Sequence, residues 1–354
     1  MANGLDDVVA AETVLSDVDG QAGRLVIRGH SLDDLRDVGF EALVRLLFAG
    51  FFPELPAAGP LGERLGAARQ EAFVTTRPLL DALAARPMYD AMRAGVALMP
   101  DGDTLDDALR LIAAPAVLLP ALIRIAAGER PVAPDPERGH AEDIVRMLGR
   151  DGAAAPALDR YLVTVSDHGL NASTFAARVV ASTQAGLTSS ALAGLGALKG
   201  PLHGGAPGPV IAMLDAIADA GDARAWLAQA VGSGERLMGF GHRIYRTRDP
   251  RADALKAAVR ALPDTGGRIA FAEGVEDDAL AVLRAHRPGR VLETNVEFYT
   301  ALLLEAVGFP PPAFTGVFAM GRIAGWIAHA REQALTGRLI RPQSRYVAER
   351  PLAA

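Results

Sequence analysis

The chain contains no cysteine among its 354 residues. Disulfides, thiolate nucleophiles and cysteine-based zinc sites are therefore excluded. Lysine is nearly absent too: Lys199 and Lys256 are the only two, so the 36 basic residues are almost all arginines. A guanidinium binds a carboxylate or phosphate through two parallel hydrogen bonds, which makes the arginines the groups to examine for anion binding.

An excess of positive charge is also missing. The formal net charge is -6 at pH 7, which disfavours nucleic acid or an anionic membrane as a general partner. The first residues carry acids where a signal peptide needs a basic region followed by an apolar run, so we expect a cytoplasmic protein. The most apolar stretch, residues 109–127, contains Pro115 and Pro120, and it predicts a buried pair of helices instead of a membrane span.

The sequence lacks an alternation of strands and helices, which disfavours a doubly wound, dinucleotide-binding sheet. Apolar positions recur at helical spacing and predict helices that include residues 40–50, 173–184, 210–221, 224–238, 252–262 and 276–286. Ser31 and Thr104 are predicted N-caps, each with an aspartate three residues later. Only residues 23–30 resemble a strand, as one arm of a hairpin after Asp19 and Gly20. The predicted class is all-α with a minor N-terminal β element.

Three of the seven histidines lie in glycine-rich or polar junctions, which are SDHGLNAST for His168, GPLHGGAPGP for His203 and LMGFGHRIYRTRDPR for His242. A histidine in a polar pocket is the usual acid–base residue of an enzyme. Their spacings of 35 and 39 residues place no two of them on one helical turn, so a metal site is not supported. The remaining four have less distinctive surroundings: His30, His140, His286 and His329.

Four arginines follow His242 closely within its motif: Arg243, Arg246, Arg248 and Arg251. Two interpretations stay open, a solvated loop paired with nearby acids and a site for phosphates and carboxylates. Farther along, Arg322 lies on an otherwise apolar helix face and Arg341 precedes a proline. A buried arginine needs an anionic partner, and a substrate carboxylate or an internal glutamate would serve equally well.

Glu297 follows Asn295, one of only three asparagines, at the start of the apolar helix in LETNVEFYTALLLEAVGFPPPAF. Taken alone, such an acid is a favourable residue for the first turn of a helix. Beside the histidine motifs, Glu297 is also a candidate general base.

Together these motifs resemble the citrate synthases of the shorter bacterial and archaeal type. The resemblance covers nearly the whole chain, from GLDDVVAAETVLSDVDGQAGRLVIRGH through SDHGLNASTFAARVVAST, GPLHGGA, MGFGHRIYRTRDPRA and NVEFYTALLLEAVGF to LIRPQSRYV. It implies a helical homodimer with a large domain at residues 1–203, a smaller mobile domain at 204–311 and a C-terminal return to the large domain at 312–354. It implies no cofactor and no metal, because coenzyme A enters as a thioester substrate.

The resemblance also implies residue roles. His203 matches the histidine that donates to the thioester carbonyl, and His242 matches the one that polarises the ketone of oxaloacetate and protonates the alkoxide. His168, Arg251 and Arg322 match oxaloacetate ligands, and Arg341 matches an arginine contributed by the partner subunit. Arg246 matches an arginine that faces a phosphate of coenzyme A, where Lys256 is an assisting group.

The sequence departs from the family pattern at two places. The family's catalytic base is an aspartate in NVDFY, whereas this chain has Glu297 in NVEFY. The extra methylene lengthens the arm by about 1.3 Å, and a misplacement of about 1 Å can cost about 100-fold in rate. The second departure is GGAPGP, where Pro207 replaces a polar residue at the start of a helix, a position that tolerates proline.

We therefore expect condensation of acetyl-CoA with oxaloacetate and water to give citrate and free coenzyme A. Propionyl-CoA, which would give 2-methylcitrate, is the alternative substrate, since one methylene is worth only about 1–3 kcal/mol in a pocket. An alternative of another class is a weakly active paralogue that binds oxaloacetate or coenzyme A as a regulatory or assembly protein.

Overall fold

The computed structural model describes residues 5, 8–204, 207–242, 245, 247–263, 265–286, 289 and 292–346. These residues form a mainly helical protein with one small sheet, which confirms the predicted class. The helices are α1 Leu32–Leu35, α2 Phe40–Phe48, α3 Ala58–Thr76, α4 Leu80–Ala84, α5 Met88–Val96, α6 Leu105–Ala126, α7 His140–Met147, α8 Ala155–Val165, α9 Ala172–Ala181, α10 Leu187–Leu198, α11 Pro207–Ala220, α12 Ala223–Gly232, α13 Pro250–Arg260, α14 Arg268–His286, α15 Val296–Val307 and α16 Phe314–Thr336.

The sheet is antiparallel and has the order β1-β2-β3, with β1 at Ser16–Asp19, β2 at Arg24–Ile27 and β3 at His30–Ser31. In the first pair Ser16 lies opposite Ile27. The predicted hairpin is thus confirmed, and a short third strand extends it.

The two predicted N-caps form reciprocal hydrogen bonds. Ser31 Oγ accepts the backbone N–H of Asp34 at 3.2 Å, and the Asp34 carboxylate accepts the Ser31 N–H at 3.1 Å. Thr104 and Asp107 repeat this arrangement at the start of α6. Each pair satisfies helix N–H groups that have no partner within the helix.

Helix α6 corrects one prediction, because residues 109–127 do not form a pair of helices. Pro115 and Pro120 both lie inside a single helix. Each proline removes a backbone donor, a cost that is offset here by packing against α3, α5 and α16. Among the described residues α6 is long and apolar enough to cross a membrane, but 78% of its apolar window is buried inside the protein, as expected of a core helix.

Helix α12 is shorter than predicted and ends at Gly232 instead of continuing to residue 238. Gly234 has a φ of 88°, and the N–H of Glu235 bonds to the carbonyl of Ala230, so the chain turns away from the helix axis. Periodicity alone missed this because apolar residues continue after the turn. The described residues between 233 and the start of α13 are thereby left free of helix.

The helices between residues 207 and 307 pack mainly on one another, α11 and α13 on α15 and α12 on α14. Helix α13 also packs on α8, from the N-terminal part of the chain. This packing brings the first turns of α13 and α15 close to the loop that follows α8. The predicted domain boundaries at residues 203 and 311 stay a prediction.

Candidate active site

Two of the three predicted histidines, His168 and His242, lie close together, and both contact Tyr245. His168 is in the loop between α8 and α9, and His242 precedes α13; their ring centroids are 6.0 Å apart. The hydroxyl of Tyr245 lies 3.1 Å from His168 Nε2, and the Tyr245 ring centroid is 4.7 Å from that of His242. Tyr245 thus connects two histidines that are 74 residues apart in sequence.

The His242 loop is fastened to the start of α15 by one asparagine. The backbone N–H of Asn295 donates to the Gly239 carbonyl at 2.9 Å, and its side-chain amide donates to the Gly241 carbonyl at 2.8 Å. Its Oδ1 accepts the N–H of Glu297 at 3.0 Å and caps the helix. Gly239 has a φ of 85°, and a Cβ there would lie 2.9 Å from a side-chain carbon of α15. His242 and Glu297 therefore share one rigid frame.

Asp249 joins the starts of α13 and α15. Its two oxygens accept hydrogen bonds from Arg251 Nε at 3.0 Å and Nη2 at 2.8 Å, and one of them also accepts the N–H of Val296 at 3.2 Å. Both side chains of this ion pair are buried. Burial opposes the charge of Arg251, but Asp249 outweighs it and the pKa of the guanidinium is raised.

The hydrogen bonds of His242 fix its tautomer. Its Nδ1 accepts the N–H of Tyr245 at 3.0 Å, so the proton of the neutral ring is on Nε2. Burial, and then Arg251, lower the pKa of His242 to about 4, against the opposing effect of Asp249. Nε2 lies 3.2 Å from Nη2 of Arg251, which is also a donor. Two donors at this distance are well placed to share one acceptor oxygen of a ligand.

Arg322, in the middle of α16, is only 2% exposed and has no carboxylate ion pair among the described residues. Its Nε donates to the Val165 carbonyl at 2.6 Å, and its Nη2 is buried with no hydrogen-bond partner in the described part of the chain. Burial lowers the pKa of the guanidinium to about 10, although Asp167 acts in the opposite direction. The internal glutamate that the sequence left open as its partner is not found there, so a bound anion is the interpretation that accounts for this arginine.

His168 and His203 both lie within the electrostatic reach of Arg322. Burial lowers the pKa of His168 well below its usual value, and Arg251 and Arg322 add to this effect. Burial, and then Arg322, lower the pKa of His203 to about 4. Both rings are therefore neutral near pH 7.

His203 is oriented by Ser173, whose Oγ lies 2.8 Å from His203 Nε2. The same Oγ accepts the indole N–H of Trp326 at 3.1 Å and lies 2.8 Å from Oδ1 of Asn171. That Oδ1 accepts the serine hydroxyl as well as two backbone N–H groups at the start of α9, so Ser173 is held in place beside the ring of His203.

Glu297 is half-buried in the first turn of α15. Burial raises the pKa of its carboxyl group, while the positive charges of Arg251 and Arg236 oppose the rise. A carboxylate with a raised pKa is a stronger base than an exposed one. A cavity of about 420 Å³ lies beside His242 and is lined mainly by apolar side chains of α12, α14 and the loops that follow these two helices, together with Glu235 and Arg236.

A second cavity, of about 210 Å³, lies between α9, α10 and α16 and contains none of the predicted site residues. No group of three or more His, Asp or Glu side chains arranged to hold a metal ion is found among the described residues. The expectation that the protein uses no cofactor stays a prediction.

Residues 4–343 match the family model described as citrate synthase, C-terminal domain. The citrate synthase of Haloferax volcanii is 34% identical, with 99% of this chain and 97% of that protein covered. The chain belongs to the citrate synthase family. It is thus an enzyme of the condensing acyltransferase type. Its relatives also include the 2-methylcitrate synthase of Mycobacterium tuberculosis, 34% identical over 97% of this chain and 89% of that one.

Solved structures of citrate synthases share the fold. The ternary complex of carboxymethyl coenzyme A and oxaloacetate with the citrate synthase of Thermoplasma acidophilum superimposes with a TM-score of 0.84 at 28% identity. The alignment covers 100% of this chain and 98% of that one. The citrate synthase of Thermotoga maritima gives a TM-score of 0.82 at 29% identity, with the same coverage of both chains.

Hydrogen bonds, ring contacts and electrostatic effects on pKa connect six of the residues predicted from the citrate synthase motifs. Their roles stay predictions. The six are His168, His203, His242, Arg251, Glu297 and Arg322. Arg341 does not join them within one chain, since it lies exposed in the tail after α16. Arg243 and Arg246 lie outside the described residues.

Two further basic side chains near the site, Arg248 and Lys256, are paired with carboxylates of the protein itself. Arg248 bonds to Asp253 and lies 3.4 Å from Glu276. The ammonium of Lys256 donates to Glu276 at 2.7 Å, so its assisting role toward coenzyme A requires sharing with that carboxylate.

The sequence analysis missed three residues that organise the site: Ser173, Tyr245 and Asp249. A signal for two of them was present, since Tyr245 lies inside the motif of His242 and Asp249 precedes Pro250 as a helix N-cap does. The contact of Ser173 with His203 joins residues 30 positions apart and has no local signal.

Proposed function

We propose that this citrate synthase family member condenses acetyl-CoA with oxaloacetate and water to give citrate and free coenzyme A. The observation that carries the proposal is Arg322, a buried guanidinium without a carboxylate partner in the described chain, within the electrostatic reach of His168 and His203. A substrate with two carboxylates and a ketone suits this position, because it offers an anion to Arg322 and an oxygen to the donors at His242.

Oxaloacetate binds through one carboxylate to Arg322. Arg251 donates from Nε and Nη2 to Asp249, so its Nη1 is left to bind the second carboxylate of oxaloacetate. The ketone oxygen accepts the Nε2–H of His242 together with Nη2 of Arg251. His168 is held by Tyr245 as a neutral hydrogen-bonding group at the same substrate.

The reaction begins when Glu297 removes a proton from the methyl group of the thioester. His203 stabilises the resulting enolate by donating a ring N–H to the thioester oxygen. The enolate carbon attacks the ketone of oxaloacetate, and His242 supplies its Nε2 proton to the alkoxide that forms. Water then hydrolyses the citryl-CoA thioester, which releases citrate and coenzyme A.

The location of the acyl-CoA is proposed on two grounds. The cavity beside His242 is largely apolar and opens next to the loop that positions the reacting groups. The Thermoplasma structure holds a coenzyme A derivative and oxaloacetate in a protein of the same fold. Arg246 and Lys256 remain the proposed contacts for coenzyme A phosphates, a cytoplasmic homodimer is the proposed form, and Arg341 is proposed to come from the partner subunit.

The second candidate substrate is propionyl-CoA, which is favoured by the similarity to the mycobacterial 2-methylcitrate synthase. The deciding experiment compares coenzyme A release from acetyl-CoA and propionyl-CoA at saturating oxaloacetate, with product identification by mass spectrometry. A thiol reagent will report coenzyme A without background, because the protein has no cysteine. We expect the higher kcat/KM with acetyl-CoA.

A higher kcat/KM with propionyl-CoA would make the protein a 2-methylcitrate synthase. If oxaloacetate binds but neither thioester is condensed, the regulatory or assembly paralogue replaces the enzyme proposal.

A further inference from the structure

A chain of buried polar side chains, none of them used in the proposed reaction, runs from the oxaloacetate pocket to the C-terminal tail. It consists of Asp167, Arg178, His329, Glu332 and Gln333, all at most 5% exposed. At the pocket end, His329 Nε2 lies 3.2 Å from both carboxylate oxygens of Asp167, the residue before His168. His329 Nδ1 accepts from Arg178 Nε at 3.0 Å.

The far end of this chain holds the tail. Arg178 is paired with Glu332 and donates from Nη1 to Gln333 Oε1 at 3.1 Å. The side-chain amide of Gln333 donates to the carbonyl of Arg338 at 3.0 Å. The tail passes directly over this amide, since a Cβ at position 337 would lie 2.0 Å from Gln333 Nε2.

A second hydrogen bond holds the tail one residue before Arg341. Ser182, at the C-terminal end of α9, accepts the N–H of Ile340 at 3.0 Å and donates to the Val179 carbonyl at 2.6 Å. Residues 337–339 and 341–346 are exposed, so the tail has little buried apolar surface to hold it. The two side-chain bonds therefore decide where the tail leaves the protein.

We propose that Ser182 and Gln333 are positioning residues that fix the exit of the tail, so that Arg341 reaches the oxaloacetate bound in a second copy of this chain. The inference rests on the proposed function, because it takes oxaloacetate as the ligand of Arg341. A long side chain on an unanchored tail loses conformational entropy when it binds, and anchoring the preceding residue removes part of that cost before binding.

Ser182→Ala is the first test, because alanine is well tolerated in helices and only the bond to Ile340 is lost from the tail. We expect the oxaloacetate Kd, measured by calorimetry, to rise about fivefold, as for one lost hydrogen bond. The thermal midpoint should hardly change. The matched control is Thr183→Ala, which removes an equivalent bond from Thr183 Oγ1 to the Val180 carbonyl at 2.7 Å and does not contact the tail. Ser182→Thr should restore the affinity.

A double-mutant cycle separates positioning from general damage. If Ser182 acts through Arg341, Ser182→Ala will have no further effect on oxaloacetate affinity in an Arg341→Ala background. Gln333→Glu, which keeps the acceptor for Arg178 and loses the donor to Arg338, should behave in the same way. Additive losses of affinity would overturn the inference, as would an unchanged Kd in Ser182→Ala. A wild-type protein with no affinity for oxaloacetate would instead overturn the proposed function.

The direction of the tail is tested by mixing inactive subunits. In a heterodimer of Arg322→Leu and Arg341→Ala chains, action across subunits leaves one intact site, so condensation should return to about half the wild-type rate. If Arg341 serves its own chain, both sites are broken. Failure to regain activity in confirmed heterodimers therefore contradicts the inference.

Discussion

Arg251 and Arg322 are both buried, and both act on the pKa of His168, yet the protein holds them differently. Arg251 has its countercharge built in, since Asp249 binds it through two hydrogen bonds. Arg322 has one backbone carbonyl and an unpartnered nitrogen among the described residues. The first arrangement stabilises the fold and orients the donors around His242. The second arrangement, around Arg322, leaves a buried charge without a hydrogen-bonded anion. In the proposed function a substrate carboxylate supplies that anion, and this contact contributes to the binding energy.

The largest expected effect comes from exchanging each of these arginines for leucine. Arg322→Leu should lower kcat/KM for oxaloacetate by about 100- to 1000-fold, the cost of losing a buried charge partner. Its unfolding free energy should change little, because Arg322 forms no ion pair among the described residues and only the longer-range attraction of Asp167 is lost. Arg251→Leu should lower the unfolding free energy by about 3–5 kcal/mol, since it leaves Asp249 buried and unpaired. Urea unfolding of both variants, beside their kinetics, tests the contrast; equal destabilisation would refute it.

The next effect concerns the reach of Glu297, the proposed base. Glu297→Asp places the carboxylate at the distance usual for the family, and we expect kcat with acetyl-CoA to rise by up to about 100-fold. The oxaloacetate Kd should not change, since this carboxylate is not one of the proposed oxaloacetate ligands. Glu293→Asp, a nearby acid paired with Arg284, is the matched control. A lower kcat in Glu297→Asp would show that the glutamate is already at its working distance.

A smaller effect is expected from Tyr245→Phe, which removes the hydroxyl beside His168 and keeps the ring. KM for oxaloacetate should rise about fivefold, as for one hydrogen bond. Tyr89→Phe removes a buried hydroxyl bond to the Leu195 carbonyl at 2.8 Å, away from the site, and should affect stability alone. The same KM change in both variants would argue against a specific role for Tyr245.

The smallest effect is on the pH dependence of stability. The folded-state pKa is about 4 for His203 and His242 and well below normal for His168 and His140. Unfolded histidines titrate near pH 6.5, so the unfolded state binds more protons below that pH and the unfolding free energy should fall from pH 6.5 toward 5. Asp159, with a pKa raised to about 6, and Glu297 oppose this trend. Urea titrations in this range should show the decline, and a shallower one in His203→Gln.

Local features were readable from the sequence, and contacts between distant segments were not. The caps at Ser31 and Thr104 and the first hairpin depend on neighbouring residues, and they were predicted correctly. Helix α6 was misjudged because its prolines are tolerated only through packing against other helices. Helix α12 was predicted too long because the spacing of apolar residues does not reveal the turn at Gly234.

The candidate site divides in the same way. The motif histidines and Glu297 could be named from the sequence because their types and surroundings suit acid–base chemistry. The roles of Asp249 and Asn295 depend on bonds to Val296 and Gly241, 47 and 54 residues away. His329 gave no local signal at all, although it is central to the buried chain between α9 and α16.

The amide of Asn295 limits how this enzyme can accommodate the glutamate at position 297. Moving α15 backwards to compensate for the extra methylene of Glu297 would drag the Gly239–Gly241 backbone with it, and His242, the proposed proton donor, would retreat by a similar amount. His242 and Glu297 therefore keep their separation when α15 moves. In the proposed reaction any adjustment falls on the thioester, whose methyl group must be presented farther from the start of α15 than a shorter carboxylate would require.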